Sequence, residues 1–395
     1  MTGLPPLCYL NSNDGTSLLG FGTGPSFVLN HLEDLPKLDR FIEQHRGSYL
    51  FGYLSYSLKN HVDQLPLSPS LRLPLAYFWV PETTALMNGE RLTFSSGKPS
   101  VPLEQFLSKL KTSKRIILPP LKARTNKARY LDHVRKIQER IQLGALYETN
   151  YCQEFYLENV HISNPEDLFF HVNESTKAPF SALMVTEDVW VACGSPERFL
   201  KKTGQQVISQ PIKGTAPRSS EPLEDIAHLE ALRNSKKECS ENVMIVDLVR
   251  NDLSRIALPN SVSVDELFGA YSFKTVHHLI STISCSVDPD IPFSELIQAT
   301  FPMGSMTGAP KRNALRLMED LEDFNREIYS GSIGYINPDG GFDFNVVIRS
   351  LNYFPKEKYL QCGVGSAITI SAKPEQEFEE CLIKINRLVK TVYDD

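Results

Sequence analysis

No two of the seven cysteines (Cys8, Cys152, Cys193, Cys239, Cys285, Cys362, Cys381) form a Cys-x-x-Cys pair. An odd, scattered set speaks against a disulfide framework or a zinc ribbon and fits reduced thiols. No apolar run approaches membrane-spanning length, and the opening MTGLPPLCYLNSNDG lacks the basic start and apolar core of a secretory leader. These absences predict a cytoplasmic protein without a membrane partner. Positive charge is also short: the formal net charge is −6, and no basic run offsets it. A nucleic-acid partner is therefore not expected. A small anion would bind only where cations are concentrated in a cleft. Neither Gly-rich stretch, FPMGSMTGAPK (301–311) or CGVGSA (362–367), completes a P-loop or a dinucleotide fingerprint. ATP and NAD are not expected either.

The 395 residues, 41% of them hydrophobic and 22% charged, suit a globular chain with a well-buried core. Residues 1–120 read as a strand-rich region, with SYLFGYLSYSL (48–58) and LPLAYFWV (73–80) as its clearest strands. Residues 121–395 read as a second region, of mixed strands and helices, packed with the first as one unit. Tyr130, Val134, Ile137 and Ile141 recur at helical spacing, and Gly144 supplies a stop. Later strands come in contiguous pairs (FSALMVTEDVWVAC, HHLISTISCSV, FDFNVVIRSLNYF), with no regular alternation with helices. The fold class that follows is α+β with largely antiparallel sheets.

Four features hold potential chemistry. In VISQPIKGTAPR (207–218) a strand-like run meets Pro211, and Gly214 permits a bend, so Lys213 stands on a short, stiff connection. A helix capped by Ser235 carries Glu238 and Glu241 in line with an apolar stripe. The last helix, opening at Pro374, carries Glu377, Glu380, Lys384 and Arg387 opposite the stripe Phe378, Leu382, Ile385, Val389. Two glutamates on each of two helices suit one magnesium ion, although ion pairing with Lys237 or Arg250 is a simpler use of them. Arg349, in VVIRS at the end of an apolar strand, has the fork to clamp a carboxylate or to make a rim ion pair. Pro310 reads as part of the first turn of a helix that follows the Gly-Ser-Thr loop.

Read in order, SPERFL, PIKGTAPR, ENVMIVDLVRNDLSRI, VHHLIST, FPMGSMTGAPK, YSGSIGY, VVIRS, GVGSA and PEQEFEECLIKINRL resemble the chorismate-utilising enzymes. That family comprises anthranilate, aminodeoxychorismate, isochorismate and salicylate synthases, and the resemblance runs from about residue 125 to 391. It implies a sandwich of two antiparallel sheets faced by helices. It implies chorismate bound through magnesium, with Glu241 and Glu380 as metal positions and Glu238 and Glu377 beside them. Substrate contacts carried over are Gly214, Thr215, His278, Tyr335, Arg349, Gly363, Val364, Gly365 and Lys384. Glu197 matches the general acid that protonates the departing hydroxyl.

Lys213 separates the subfamilies. Anthranilate synthases resemble one another in carrying alanine there, and aminodeoxychorismate synthases carry the lysine. The implied role is attack on C2 of chorismate with loss of the 4-hydroxyl, followed by ammonia attack at C4. Burial is expected to supply the unprotonated amine that this needs. The resemblance also implies a separate glutamine amidotransferase subunit (component II) as ammonia source, since no Gly-x-Cys-x-Gly elbow is present. The product would be 4-amino-4-deoxychorismate, because no pyridoxal-lyase-like region follows. The alternatives are an anthranilate synthase component I and a catalytically silent chorismate-binding paralogue. Two departures stand out: YETN (147–150) replaces Tyr-Gln-x-Asn, and GVGSAITIS lacks the usual Ile-Val-x-Asp-Ser continuation.

Overall fold

The computed structural model describes residues 4–62 and 70–389, and within them the strands assemble into one eleven-stranded and one ten-stranded sheet. Pairing is antiparallel throughout, as in Leu7–Asn11 against Phe180–Val185 and Leu50–Leu54 against Ser332–Ile336. Those two pairs join the first hundred residues to the later chain, one in each sheet. The early strands complete sheets whose other strands come much later in the sequence.

Apolar packing divides this architecture into layers. Cys8, Phe51, Trp79, Ala182, Met184, Val191 and Ile333, drawn from both sheets, share one buried cluster between them. Leu183 and Val185, on the opposite face of the strand Phe180–Val185, pack with Tyr130, Val134, Phe169 and Phe378 from the helices outside the first sheet. Buried on both faces, that strand reads as the continuous apolar run FSALMV rather than as an alternation. Leu35, Ile245, Val249 and Leu296 cover the outer face of the second sheet. The result is the expected α+β sandwich of two antiparallel sheets with helices on both outsides.

Several local readings shift. SYLFGYLSYSL is a strand only over Leu50–Leu54 and then a 3-10 helix, Tyr56–Val62. Pro310 precedes the helix Lys311–Leu321 and does not sit in its first turn. FDFNVVIRSLNYF splits into Phe342–Asn345 and Ser350–Phe354, which belong to different sheets. Residues 346–349 make the crossing, so Arg349 ends no strand; its backbone is turned to φ +51°.

Candidate active site

The chain changes sheets twice at one place. Trp190–Ser195 lies in the first sheet and Arg198–Thr203 in the second, with Glu197 in the step between them. The crossing at 346–349 returns the chain beside it. The Val346 amide donates to the Glu197 carbonyl at 3.1 Å, and the Gly194 amide to the Arg349 carbonyl at 3.0 Å. Two irregular crossings tied by backbone bonds bring Glu197 and Arg349 near one another, and the ladders of Arg198–Thr203 are irregular just after Glu197.

Lys213 arrives from the second sheet. It lies in the strand Ile212–Pro217, whose register against Val276–Ser286 steps from Ile212↔Ile280 to Thr215↔His278. Three steps on one strand face two on the other. This is a β-bulge spanning Lys213 and Gly214, and a bulge turns the local side chains out of register. The expected connection is thus a bulged strand. Gly214 has φ +88°, where a Cβ would stand 3.2 Å from Glu238 Oε2. The Lys213 side chain is 10% exposed; its Nζ donates to Glu148 Oε1 and lies 3.9 Å from Glu241 Oε2. Burial alone pulls its pKa down, but Glu148 and Glu241 more than offset that, and the net shift is upward. Burial does not leave a neutral amine in the resting site: Lys213 is held as an ammonium ion.

Glu197 is buried, and burial pushes its pKa up to about 7 against the opposing pull of Ser305 and Lys213. Ser305 Oγ donates to Glu197 Oε1 at 2.6 Å. A cavity of about 10 Å3 beside Glu197, Gly304 and Ser305 has room for about one water. The loop carrying Ser305 is clamped from behind by Arg326. Its guanidinium, 2% exposed for the whole residue, donates to the Met306 carbonyl (2.8 Å), the Asn150 carbonyl (3.1 Å) and both oxygens of Glu322.

Arg349 makes no ion pair among the described residues, and its pKa is pushed down to about 10 by burial and by Arg387. His278 is buried; its Nδ1 pairs with Thr215 Oγ1 at 2.9 Å, while Nε2 is buried with no hydrogen-bond partner. Burial, then Arg349, pushes its pKa down to about 3, so the ring is neutral. An unpaired guanidinium and an unsatisfied imidazole nitrogen mark a place built for an outside polar group.

The strand Tyr359–Ile368 forms another wall. A Cβ on Gly363 would overlap the Tyr329 ring, and one on Gly365 would stand 2.7 Å from Asn150 Nδ2. Lys384 Nζ donates to the Gly365 carbonyl at 2.8 Å and pairs with Glu380 at 2.7 Å. Two predicted residues lie elsewhere. Val364 faces the other way, into the core under the helices. Tyr335 packs with Tyr49 and Phe51, with Asp343 and Arg198 nearby. Tyr329, at the other end of the same YSGSIGY motif, is the tyrosine set against Gly363. Sequence reasoning also passed over Ser305 and Asn150 as site residues.

The four acidic positions share one region. Glu241 and Glu377 are buried, while the Glu380 side chain is half exposed. Lys237 Nζ lies 3.9 Å from Glu241 Oε1, and Glu241, Glu377, Glu238 and Glu380 together raise its pKa against the cost of its partial burial. That lysine therefore registers a cation-attracting field made by all four. Glu241 Oε1 is buried without a hydrogen-bond partner, and burial pushes the Glu241 pKa up to about 7 although Lys213 opposes it. Glu377 Oε2 accepts from Ser366. Among the described residues no three acidic, His or Cys side chains form a ready cage. The donor set fits magnesium, which takes few carboxylates and completes its shell with water and ligand oxygens. Nothing in it suits zinc.

Comparisons with known proteins bear on the family and the fold. A family model described as chorismate binding enzyme matches residues 6–390, well beyond the 125–391 in which the motifs are dense. The aminodeoxychorismate synthase component 1 of Escherichia coli (strain K12) is 38% identical over 261 residues, 66% of this chain and 57% of that protein. An anthranilate synthase component I-like protein of Synechocystis sp. is 30% identical over 352 residues, 87% of this chain and 72% of that protein. The crystal structure of anthranilate synthase component I from Streptococcus pneumoniae TIGR4 superimposes with a TM-score of 0.81 over 95% of this chain and 92% of that one. Its 22% identity speaks for the fold alone. Among the described residues no helix is long and apolar enough to cross a membrane.

Proposed function

The chain belongs to the chorismate binding enzymes, and from that premise we propose that it aminates chorismate at C4, with the activity of an aminodeoxychorismate synthase component I. One observation carries the reading: a buried lysine on a bulged strand, held between Glu148 and Glu241 in the field of Glu197. Arg349 and Lys384 would hold the carboxylates of the dianion. Magnesium, held by Glu241 and Glu380 with Glu238 and Glu377 beside them, would supply positive charge at a substrate carboxylate.

Lys213 gives one proton to water, then its neutral amine bonds to C2 as both ring double bonds shift, C1=C2 to C1=C6 and C5=C6 to C4=C5, and the 4-hydroxyl leaves. Glu197 gives that hydroxyl a proton, so water departs. Ammonia next bonds to C4, both double bonds shift back, and the Lys213 amine leaves C2 and regains a proton from water. The proton shed by the attacking ammonia restores Glu197. Chorismate and ammonia thus become 4-amino-4-deoxychorismate and water. The ammonia would come from a glutamine amidotransferase partner, a reading supported by the component naming of the relatives.

A second reading, amination at C2 to give anthranilate, is favoured by the name of the Synechocystis relative. Lys213 opposes it, because a side chain occupying the C2 position excludes direct ammonia attack there. Incubation with chorismate, magnesium and an ammonium salt, followed by mass and fluorescence identification of the product, separates the readings. Aminodeoxychorismate is the expected product. Anthranilate, isochorismate or no product at high ammonia overturns the proposal.

A further inference from the structure

Glu148 is the acidic residue by which YETN departs from the expected motif, and none of the roles above assigns it. It is the first residue of the strand Glu148–Leu157, and its backbone is fixed on every side. Ala309 pairs with it across the short strand Gly308–Ala309, and a Cβ at Gly308 would overlap the Glu148 carbonyl. The flanking Tyr147 and Asn150 amides donate to the carbonyls of Ala309 and Thr307 at 2.7 Å each. The Arg326 clamp holds Asn150 from behind. Glu148 itself is 2% exposed. Its Oε1 accepts from Lys213 Nζ, while Oε2 is buried with no hydrogen-bond partner.

On the other side, Lys213 has a long, flexible stem on a bulge whose ladder pairing is interrupted. Free of a partner, such a side chain samples several rotamers, each of which takes Nζ away from one line of attack. Among the described residues its amine makes one hydrogen bond, to Glu148; Glu241 stands farther off, at 3.9 Å. A rigid acceptor thus meets a flexible donor.

We propose that Glu148 is a positioning residue, whose carboxylate holds the Lys213 amine in one orientation at the sheet crossing and so sets the nucleophile for C2. This rests on the function proposed above. A misplacement of about 1 Å in a reacting group costs on the order of 100-fold in rate, and that is the scale of effect that Glu148 controls. Glutamine at 148 would preserve an oxygen acceptor in nearly the same volume, whereas alanine would remove it.

The test compares the full-length wild type with Glu148→Ala and Glu148→Gln in two assays. In steady-state amination, Glu148→Ala should lower kcat by roughly 10- to 100-fold while KM for chorismate moves less than about threefold, and Glu148→Gln should recover most of the loss. In reductive methylation with formaldehyde and cyanoborohydride, read by peptide mass, Lys213 should label faster in Glu148→Ala than in wild type, with Glu148→Gln between. An alanine variant with wild-type kcat, or a glutamine variant as impaired as alanine, overturns the proposal. Equal labelling of Lys213 in wild type and Glu148→Ala overturns it as well. That second assay needs no turnover, so wild-type failure to aminate chorismate would count against the proposed function while labelling still decides on Glu148.

Discussion

Glu197 shows what a single side chain contributes. Its carboxyl is pushed up to about 7 because burial at a sheet crossing outweighs Ser305, the Lys213 charge, the Ile212 backbone and Arg349, all of which favour ionisation. A general acid works while protonated. A raised pKa therefore keeps the proton on through the acidic range and loses it as pH rises through about 7. The expected outcome is a kcat that falls above that point with a slope of one proton. Glu197→Gln, which cannot donate, should lose roughly 100- to 10,000-fold in kcat; a flat profile in wild type would show that another group is the acid. Glu197, Lys213 and Glu241 were legible in the sequence because each sits inside a short local motif. Both Tyr329 and Tyr335 lie in YSGSIGY, and only the fold shows that Tyr329 is the one that meets Gly363. Glu148 was legible as a departure but not as a partner, since Lys213 stands 65 residues away along the chain.

At the scale of elements, the site depends on places where regular structure is interrupted. The sequence showed the helices well: Ser235 does cap its helix, and the apolar stripe of Pro374–Val389 does face the core. It did not show the bulge at Lys213 or the sheet change before Arg349. A one-residue bulge barely alters an apolar pattern, and VVI at a crossing is as apolar as VVI in a strand. Behind these irregular pieces stands the buried Arg326–Glu322 pair, bonded at 2.5 and 2.8 Å, which ties the Met306 loop to the strand at Asn150. Arg326→Leu would strand a buried carboxylate and free two carbonyls. It should cost about 3–5 kcal/mol in urea unfolding, and a loss below about 1 kcal/mol would show that the clamp is dispensable. The two acidic helices give a second expectation. Magnesium should raise the wild-type melting temperature, and Glu241→Gln or Glu380→Gln should remove both that rise and turnover. Undiminished activity after thorough chelation would contradict the metal assignment.

For the molecule as a whole, the two sheets are each completed by strands from both ends of the chain, and the chain's double exchange between them creates the site. The fold class was readable from contiguous strand pairs and the absence of βαβ alternation. The sharing of strands was not, because pairing between Leu7 and Val185 leaves no local trace. In this frame a net charge of −6 coexists with a site in which the charges of Lys213 and Arg349 both act on Glu197. The proposed chemistry turns on Lys213 as the covalent nucleophile. Its most direct test is to mix the enzyme with chorismate and magnesium without ammonia, quench with acid, and map any mass gain by peptide analysis. The predicted result is a gain of chorismate less water on the peptide containing Lys213, discharged by added ammonium and absent from a Lys213→Ala variant that no longer aminates C4. Amination of C4 by Lys213→Ala at the wild-type rate, with no adduct in the wild type, would contradict it.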